Sequence, residues 1–399
     1  MKSYIIIGGG AAGLTCAINL ARNGNRVTVL ENKSDVGKKI LITGNGKCNF
    51  WNKDQDIRHY HSSDEQYLRN IITKENLHKT FNFLESLKFL MYEKNGYYYP
   101  YSNQASTVLD ALKLQLKYLS VEVITNFKVE SVQKKDQFEV YGNDKVLKAD
   151  CLVLATGSNA GLKSEAIKGY DIAKSFGHKL VLINPALTQL KSTGFFLNNW
   201  QGVRCSASVK LVSNDLVLDS QDGEVQLTNY GISGICIMQL SGLAVKNIIE
   251  KNKVSLKINF LPMYDYNSLN ELLNTYNKNY TVIEVLSCML NKKLANVIIE
   301  VSKINKDTKI SELSDFKKNE LLNNIVNFNL SIIGYNGLES SQVAMGGVSL
   351  KDVKPINMES RLVKDLYFAG EILDCNGDCG GYNLSFAFLS ALLVGGIND

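Results

Sequence analysis

The sequence lacks the signatures of several protein classes. Its eight cysteines form no CxxC pair and no paired zinc spacing, and a chain of 399 residues does not depend on disulfides for a core. Reduced thiols in a cytoplasmic protein without a metal site fit this usage best. No apolar run is long enough to cross a membrane, and the short run before the first glycines carries no cleavage site, so we expect neither a membrane partner nor a leader.

The sequence also has little excess charge. Its formal net charge is +5, which is too small to indicate nucleic acid, and an anionic cofactor explains it equally well. Hydrophobic residues make up 45% and charged residues 21%, the balance of an ordinary soluble globular protein. The length exceeds what one core usually serves, so two or three domains are expected. The oligomeric state is left open.

Glycine is absent from Leu243 to Ile333, and this gap helps to divide the chain. Its second half has helical spacing, which predicts a small helical subdomain over 266–334. The preceding segment, 186–265, alternates apolar and polar residues between turn pairs, as antiparallel strands do. Residues 1–185 and 335–399 then form one α/β nucleotide-binding domain made from both chain ends.

A glycine motif at the N-terminus carries the first chemical signal. Gly8, Gly10 and Gly13 follow a short apolar strand and open a helical pattern, and Glu31 ends the next strand eighteen residues later. The glycines allow a close approach to a pyrophosphate, and the helix start offers free N–H groups to its charge. Glu31 can accept the hydroxyls of an adenosine ribose and would repel a 2′-phosphate. The motif predicts a dinucleotide site and leaves FAD and NAD open.

Two neighbouring segments are ambiguous by themselves. The loop over 31–49 is rich in glycine and lysine, so it could wrap a second phosphate or the edge of a flavin, or it could be a solvated basic loop. The strand that ends at Thr156 and Gly157 could admit a ligand to its backbone, or it could be an ordinary strand end.

The run "GEILDCNGDCGGYN", residues 370–383, allows three interpretations. A calcium loop fails because its sixth position is Cys379 rather than glycine and its twelfth is Ser385 rather than glutamate. A redox pair of Cys375 and Cys379 has CxxxC spacing instead of the usual CxxC. The third interpretation is a second half of a cofactor site.

The cofactor interpretation accounts for more of this run. A buried strand is followed by a glycine loop and a helix that starts at Gly380 and Gly381. Such a start directs backbone N–H groups at an electron-rich ligand, for example the pyrimidine edge of a flavin. A sugar-alcohol chain needs a nearby acid, and Glu371 or Asp374 would serve.

Several long motifs together resemble one family. They are "GGGAAGLTCAINLARNG", "GKKILITGNGKCN", "YPYSNQASTVLDAL", "LTNYGISG" and the run from "AMGGVSL" to "ALLVGG". This chain resembles the BaiN/YhiN-like flavoproteins, the group of aminoacetone oxidases and 3-dehydro-bile-acid reductases, over nearly its whole length and least from 245 to 330. The resemblance implies an α/β fold: a Rossmann-like FAD-binding domain of the glutathione-reductase type built from both chain ends, a β-barrel-like insert and a small helical subdomain.

The resemblance also implies a set of FAD-binding positions. They cover the ADP half, the pyrophosphate and the flavin, and they are Gly8, Gly10, Ala11, Ala12, Gly13, Glu31, Asn32, Lys39, Thr43, Gly44, Gly46, Asn49, Val129, Thr156, Gly157, Gly370, Glu371, Asp374, Gly381, Tyr382, Asn383 and Leu384. Val129 is expected to meet adenine through its backbone and Glu371 to bind the ribityl chain.

The sequence departs from the family pattern at three places. Asn229 stands where relatives have histidine, Ile235 stands where they have proline, and the segment 158–169 differs from the usual one. The changes do not affect the predicted FAD site, but the substrate or one catalytic step can differ. Asn229, Tyr230 and Cys48 are the catalytic candidates.

The predicted function is an FAD-dependent oxidoreductase that acts on a small organic substrate. The chain has a single GxGxxG, so hydride reaches flavin N5 either from the substrate itself or from NAD(P)H bound transiently in the same cleft. Amine oxidation and enone reduction both stay open. Substrate is expected near Asn229, Tyr230 and the aromatic loop from Tyr98 to Tyr101. A tRNA-modifying flavoprotein and a non-catalytic flavin redox sensor are the alternatives.

No general base can be named from the sequence. His178 is predicted to be structural, and His59, His61 and His78 lie in polar surroundings and are predicted to be at the surface.

Overall fold

The structure is a computed structural model that describes residues 1–161 and 168–396. The chain forms two compact units, which we call unit 1 (Met1–Asn184 and Val343–Asp399) and unit 2 (Pro185–Gln342). Unit 1 is therefore built from both ends of the chain.

The first part of the chain contributes short strands and six helices. The strands are β1 (Ser3–Ile7), β2 (Arg26–Leu30), β3 (Trp51–Asn52), β4 (Tyr60–His61), β5 (Met91–Lys94), β6 (Tyr97–Pro100), β7 (Glu122–Ile124), β8 (Val129–Lys134), β9 (Phe138–Gly142), β10 (Lys145–Ala149), β11 (Cys151–Leu154) and β12 (Leu180–Ala186). The helices are α1 (Ala11–Arg22), α2 (Lys38–Ile42), α3 (Glu65–Ile71), α4 (Lys74–Ser86), α5 (Ala105–Tyr118) and α6 (Lys168–Ser175).

Unit 2 combines a barrel with helices. Its strands are β13 (Leu190–Ser192), β14 (Arg204–Ser213), β15 (Leu216–Thr228), β16 (Gly231–Ser233), β17 (Val254–Asn259) and β18 (Phe328–Tyr335). Its helices are α7 (Leu197–Trp200), α8 (Ile235–Ile249), α9 (Tyr266–Thr275), α10 (Val282–Ser287), α11 (Lys292–Val301) and α12 (Asp315–Val326). The strands close a barrel in the order β13-β16-β15-β14-β17-β18.

The barrel uses a strand from the segment that the sequence assigns to helices. Alternate residues of β18, from Phe328 to Ile332, are buried, so one face of the strand joins the barrel core. Helices α9 to α12 share that core through residues such as Leu294 and Leu322. The predicted β-rich and helical segments therefore have a common hydrophobic core within unit 2.

The last part of the chain returns to unit 1. It adds the strands β19 (Val343–Val348), β20 (Leu366–Phe368) and β21 (Asn376–Gly377) and the helix α13 (Tyr382–Leu393). Strand β20 pairs in parallel with β11 and completes a five-stranded sheet in the order β20-β11-β1-β2-β7. All neighbours in this sheet are parallel.

The strands of the central sheet are continuous apolar runs because their side chains are buried on both faces. Ile6 pairs with Val153 on one side and Val29 on the other, and all three are fully buried. The carboxyl end of β1 leads directly into α1, which confirms the strand–turn–helix that the glycine motif predicts. This parallel sheet and the six-stranded barrel confirm the predicted α/β class with a Rossmann-type domain and a barrel insert.

Candidate functional site

The turn between β1 and α1 forms a backbone cradle. A Cβ atom on Gly13 would lie 1.8 Å from the carbonyl oxygen of Gly8, so only glycine allows the helix to pack this close to the turn. Helix α1 begins after Gly10, and no described side chain caps its N-terminus. The N–H groups of Ala11 and Ala12 therefore start the helix without a side-chain acceptor, which suits an anionic phosphate group.

Glu31 is tied to this turn by its carboxylate. One oxygen accepts from the N–H of Gly9 at 2.8 Å and the other from the N–H of Lys33 at 2.9 Å. A carboxylate has about four acceptor sites, so each oxygen can still accept a ribose hydroxyl. The backbone carbonyl of Glu31 also accepts from the N–H of Phe127, which brings the chain before Val129 to the same place. Asn32 is exposed beside it.

The loop after α2 holds an unusual backbone. Gly44, Asn45 and Gly46 all have positive φ angles of 55°, 54° and 83°, so three consecutive residues are left-handed. The Thr43 hydroxyl donates to the carbonyl of Ile40 at 2.6 Å and is used within the chain. The predicted residues Thr43, Gly44 and Gly46 are thus in a tight turn whose backbone, rather than side chains, is open to a ligand.

Glu371 is the centre of the second polar group. It follows β20, and its carboxylate lies 2.6 Å from Lys39 Nζ. The Ser158 hydroxyl donates to it at 2.8 Å and the N–H of Ala344 at 3.0 Å. The predicted residues Lys39 and Glu371 are therefore adjacent, although they are 332 positions apart in the sequence.

Ser158 and Ala344 were missed by the sequence reasoning. Ser158 directly follows the strand end at Thr156 and Gly157 and belongs to the segment 158–169 that departs from the family pattern, of which 162–167 lie outside the described residues. Ala344 lies in the "AMGG" run that carried part of the resemblance. Position next to a recognised motif was the available signal for both.

Thr156 and Gly157 close the site in different ways. The Thr156 hydroxyl has no partner among the described residues, and a Cβ on Gly169 would lie 2.0 Å from it, so it faces helix α6. Gly157 has a φ of 70°, and a Cβ there would lie 3.9 Å from Glu371 Oε2. Gly157 is therefore the member of this pair that lies beside the Glu371 carboxylate.

The start of α13 is locked by the side chains around it. Asn383 accepts from the N–H of Gly377 and donates to its carbonyl, both at 2.8 Å. The Tyr382 ring stacks on His59 with centroids 4.6 Å apart. These predicted side chains fix the loop between Gly370 and Gly381. The backbone N–H groups at the start of α13, up to Leu384, are what a ligand can use.

Two predicted residues have intramolecular partners instead. The buried Asp374 carboxylate accepts from the Ser63 hydroxyl at 2.5 Å and from its N–H at 3.0 Å. When the Asn49 amide is oriented with its nitrogen toward the carbonyls of Trp51 and Tyr98, it can donate to them at 2.9 and 3.2 Å. Both side chains therefore join neighbouring loops of unit 1.

The three catalytic candidates differ in environment. Cys48 is fully buried, and burial raises the pKa of its thiol to about 11, so it is a neutral thiol at physiological pH. Asn229 and Tyr230 are exposed on the β15–β16 turn of unit 2, where the Tyr230 carbonyl accepts from the N–H of Ser192 at 2.9 Å.

Two of the four histidines, His59 and His61, share the partner Asp378, which the sequence did not reveal. His59 Nδ1 and His61 Nε2 contact the two oxygens of Asp378 at 2.9 and 2.8 Å, so both imidazoles hold the loop before α13. His59 is half-buried, whereas His61 and His78 are exposed. The buried His178 contacts the Ala173 carbonyl and the Ser360 hydroxyl, and burial lowers its pKa, which is the predicted structural role.

The other interpretations of 370–383 gain no support. Within the described ranges, no cluster of three His, Cys, Asp or Glu side chains could hold a metal ion. No disulfide joins Cys375 to Cys379, and burial raises the pKa of the Cys379 thiol to about 12. None of the described helices is both long enough and apolar enough to cross a membrane.

The donors and acceptors fit the predicted cofactor. An uncapped helix start and Glu31 suit the phosphate and ribose of an ADP group, and Glu371 with Lys39 suits a hydroxyl-bearing chain. The start of α13 suits an electron-rich ring edge. These groups together offer backbone N–H donors, two carboxylates and one lysine. Such a mixture fits the phosphates, hydroxyls and ring of FAD better than it fits a small inorganic anion.

Comparison with known proteins gives the same class. The chain is 36% identical over 403 residues to a 3-dehydro-bile acid Δ4,6-reductase from Clostridium scindens, with 99% of this chain and 98% of the relative covered. It is 29% identical to a ribosomal RNA dihydrouridine synthase from Haemophilus influenzae, over 97% and 96% of the two chains. The fold resembles a solved 3-ketosteroid Δ1-dehydrogenase from Sterolibacterium denitrificans, with a TM-score of 0.51, 11% identity and 98% and 99% coverage.

The family match covers almost the entire chain. Residues 2–397 match the profile of the HI0933-like proteins with a Rossmann domain. The predicted enzyme class, an FAD-dependent oxidoreductase, is confirmed, and so is the predicted relation to BaiN-like proteins. The chain belongs to the family of HI0933-like Rossmann-domain proteins.

Proposed function

We propose that this chain is an FAD-dependent reductase that saturates a carbon–carbon double bond conjugated to a carbonyl, in a substrate with a steroid-like or bile-acid-like ring system. The observation that carries the proposal is the 36% identity, over 99% of the chain, to a protein named as a 3-dehydro-bile acid Δ4,6-reductase. That identity extends across the whole length rather than over the nucleotide-binding segments alone.

The second relative supports the type of bond. Dihydrouridine differs from uridine by saturation of the ring double bond that is conjugated to a carbonyl, so the names of both relatives describe the same kind of reduction. Amine oxidation has no counterpart among these relatives. The shared chemistry therefore favours enone reduction over the amine oxidation that the sequence left open.

The residues of unit 1 divide the work of holding FAD. The α1 start and Glu31 would bind the ADP half, Lys39, Ser158 and Glu371 would surround the ribityl chain, and the α13 start would face the flavin pyrimidine edge. Bound FAD supplies the acceptor and donor for hydride between a nicotinamide and the substrate. The chain binds and orients the nicotinamide and the substrate. The buried Cys48 thiol stays in its neutral form.

The proposed reaction balances with one reductant. Each double bond consumes one NAD(P)H and one proton, with hydride added at the carbon β to the carbonyl and the proton at the α carbon, and it yields NAD(P)⁺ and the saturated ketone. Because the chain has a single GxGxxG, NAD(P)H is proposed to bind transiently rather than on a second Rossmann domain. Asn229 and Tyr230 stay candidates for contact with the substrate.

The test is anaerobic reduction of the purified protein. We expect an FAD-loaded protein whose flavin absorbance is bleached by NADH or NADPH and restored, without oxygen, by a 3-oxo-4,6-diene steroid. A protein that binds no FAD under any condition would overturn the proposal. Bleaching by aminoacetone, with peroxide formed on admission of air, would establish amine oxidation instead.

A second candidate substrate is uridine in ribosomal RNA, supported by the 29% relative. In the same apparatus, a uridine-containing ribosomal RNA fragment would replace the steroid as oxidant of the reduced protein. Restoration of the flavin by RNA, and not by the steroid, would keep the reaction type and change the substrate.

A further inference from the structure

The β5–β6 hairpin of unit 1 has two faces with different partners. Side chains alternate along β6, so Tyr98 points to one face and Tyr97 and Tyr99 to the other. Tyr98 packs edge-on against Phe81 of α4, with centroids 5.3 Å apart. The Tyr98 ring, which belongs to the loop where the sequence predicts substrate, is therefore partly buried against the core of unit 1.

The other face presents a row of tyrosine rings, which we call the tyrosine face: Tyr92, Tyr97, Tyr99 and Tyr101. Tyr92 lies opposite Tyr99 and stacks on it, with centroids 5.8 Å apart and planes at 27°. Tyr101 meets Tyr92 edge-on at 6.3 Å. Tyr97 is two residues from Tyr99 on the same side of β6. Tyr97 is 38% exposed and Tyr101 69%, so solvent reaches the face at both ends.

The hydroxyls of this face are mostly free. Tyr92 donates to the Asn103 side chain at 2.6 Å. The hydroxyls of Tyr97, Tyr99 and Tyr101 have no hydrogen-bond partner in the described part of the chain. Large exposed aromatic patches are uncommon on monomeric proteins and usually mark a binding surface.

One end of the tyrosine face meets the proposed flavin site. A Cβ on Gly380 would lie 3.0 Å from Tyr97 Cε1, so the Tyr97 ring lies against the residue that precedes the N-cap of α13. Asn52, paired with Tyr97 across the strands, donates its amide to the Gly380 carbonyl at 3.1 Å. The tyrosine face therefore extends from the start of α13 outward.

We propose that the tyrosine face holds the fused rings of the substrate and sets the preference for polycyclic over single-ring enones. This rests on the proposed function. A flat polycyclic ketone can contact Tyr97 and Tyr99 at once, whereas a single ring covers only one of them. Its contact area, and the dispersion attraction that goes with it, grows with each ring.

The charges beside the tyrosine face are of both signs. Asp54 and Asp378 contact His59, which stacks on Tyr382 next to the same glycine loop. Hydrogen bonds from the Asp56 N–H and from Arg58 keep the pKa of Asp54 near 2, so this carboxylate is ionised at neutral pH. The Arg58 guanidinium pairs with the same carboxylate at 2.9 Å, so the local charge does not by itself select a ketone or a phosphate backbone.

The experiment compares Tyr99→Ala with the ring-retaining Tyr99→Phe, in FAD-loaded protein. We expect Tyr99→Ala to raise the KM for a 3-oxo-4,6-diene steroid about ten-fold, the order that loss of one aromatic contact produces. The KM for cyclohexenone and the rate of flavin bleaching by NAD(P)H stay unchanged. Tyr99→Phe behaves as wild type, and so does Tyr118→Ala, a control at an 82%-exposed ring on α5.

Direct binding separates this inference from the proposed function. A steroid ketone that binds wild type and Tyr99→Phe, but binds Tyr99→Ala ten-fold more weakly, supports the tyrosine face even if no enone is reduced. An equal KM for the steroid in Tyr99→Ala and wild type overturns it, and so does an equal rise for steroid and cyclohexenone. Binding of a uridine-containing oligonucleotide that depends on Tyr99, with no steroid binding, also overturns it.

Discussion

The two glycine-rich helix starts of unit 1 are built by different means. At α1 the tightest contact is within the turn, since a Cβ on Gly13 would lie 1.8 Å from the Gly8 carbonyl oxygen, while a Cβ on Gly8 would meet the Ala155 carbonyl after β11. At α13 the glycines contact distant segments, since a Cβ on Gly381 would lie 2.8 Å from the Trp51 nitrogen and one on Gly380 would meet Tyr97. The contact of Gly13 is therefore local, whereas those of Gly380 and Gly381 are tertiary. They are therefore expected to respond differently to substitution.

The largest effect is expected from Gly13→Ala at the α1 start. Backbone atoms surround the new methyl group, so no side chain can move aside, and the free energy of unfolding falls by about 3 kcal/mol. Gly10→Ala is the matched control, because no described atom lies within 4 Å of its Cβ position. Thermal unfolding of the apoproteins measures this effect, and Gly10→Ala is expected to unfold near the wild-type temperature. Gly10→Ala should differ from wild type only by a weaker affinity for FAD in titration. Equal losses in both variants would mean that the turn is not a local packing motif.

The next effect concerns the carboxylate between the two helix starts. Glu371→Gln removes the negative charge beside Lys39 but keeps an acceptor for Ser158. Loss of a charge-assisted contact predicts that the Kd of FAD rises about ten-fold, on the order of 1.4 kcal/mol. Equilibrium flavin fluorescence measures it, with Glu271→Gln on the exposed face of α9 as control. An unchanged Kd would place the ribityl chain elsewhere.

A smaller effect is expected where side chains support the α13 start. Asp378→Asn weakens the contacts to both His59 and His61, which are partly exposed and therefore worth roughly 0–1 kcal/mol each. The Kd of FAD should rise by about two- to five-fold, with little change in the unfolding temperature. Asp110→Asn, exposed on α5, is the control. A large loss of stability would show that these contacts hold the fold rather than the loop.

No effect on FAD binding or on activity is expected when the buried Cys375 thiol before α13 is removed. Burial raises the pKa of the Cys375 thiol well above its usual value, so it forms no thiolate at pH 8 and Cys375→Ala leaves activity intact. A thiol reagent at pH 8 should label the exposed Cys288 rapidly and Cys375 only after unfolding. Rapid labelling of Cys375 in the folded protein would contradict this expectation and support a redox pair of Cys375 and Cys379.

The same contrast explains which parts of the site could be predicted. Gly8 to Gly13 and Glu31 follow from a short pattern, because turn, helix start and acid lie within one strand–helix–strand unit. Ser158 and Glu371 are 213 positions apart, and no local pattern couples them. The role of Asp378 depends on two histidines more than 300 residues earlier, so its partners could not be read from the run "GDCGGYN".

The fold could be predicted further than the site. Apolar runs before glycine turns indicated the parallel strands, and the glycine-free stretch indicated the helices of unit 2. The place of β18 in the barrel could not be predicted, because the sequence of a single strand does not indicate which strands it pairs with. Strand pairing is decided by which faces become buried together.

The sequence by itself determined the class of this protein: a dinucleotide cradle, a second glycine-rich helix start and motifs long enough to identify the family. Those features depend on local backbone geometry, which is encoded by neighbouring residues. Only the tertiary structure decided which charged side chains form pairs and which tyrosine rings lie at the surface. The Tyr98 ring packs against Phe81, and Tyr97 and Tyr99 lie on the opposite face of the hairpin, because alternate side chains of a strand point to opposite faces.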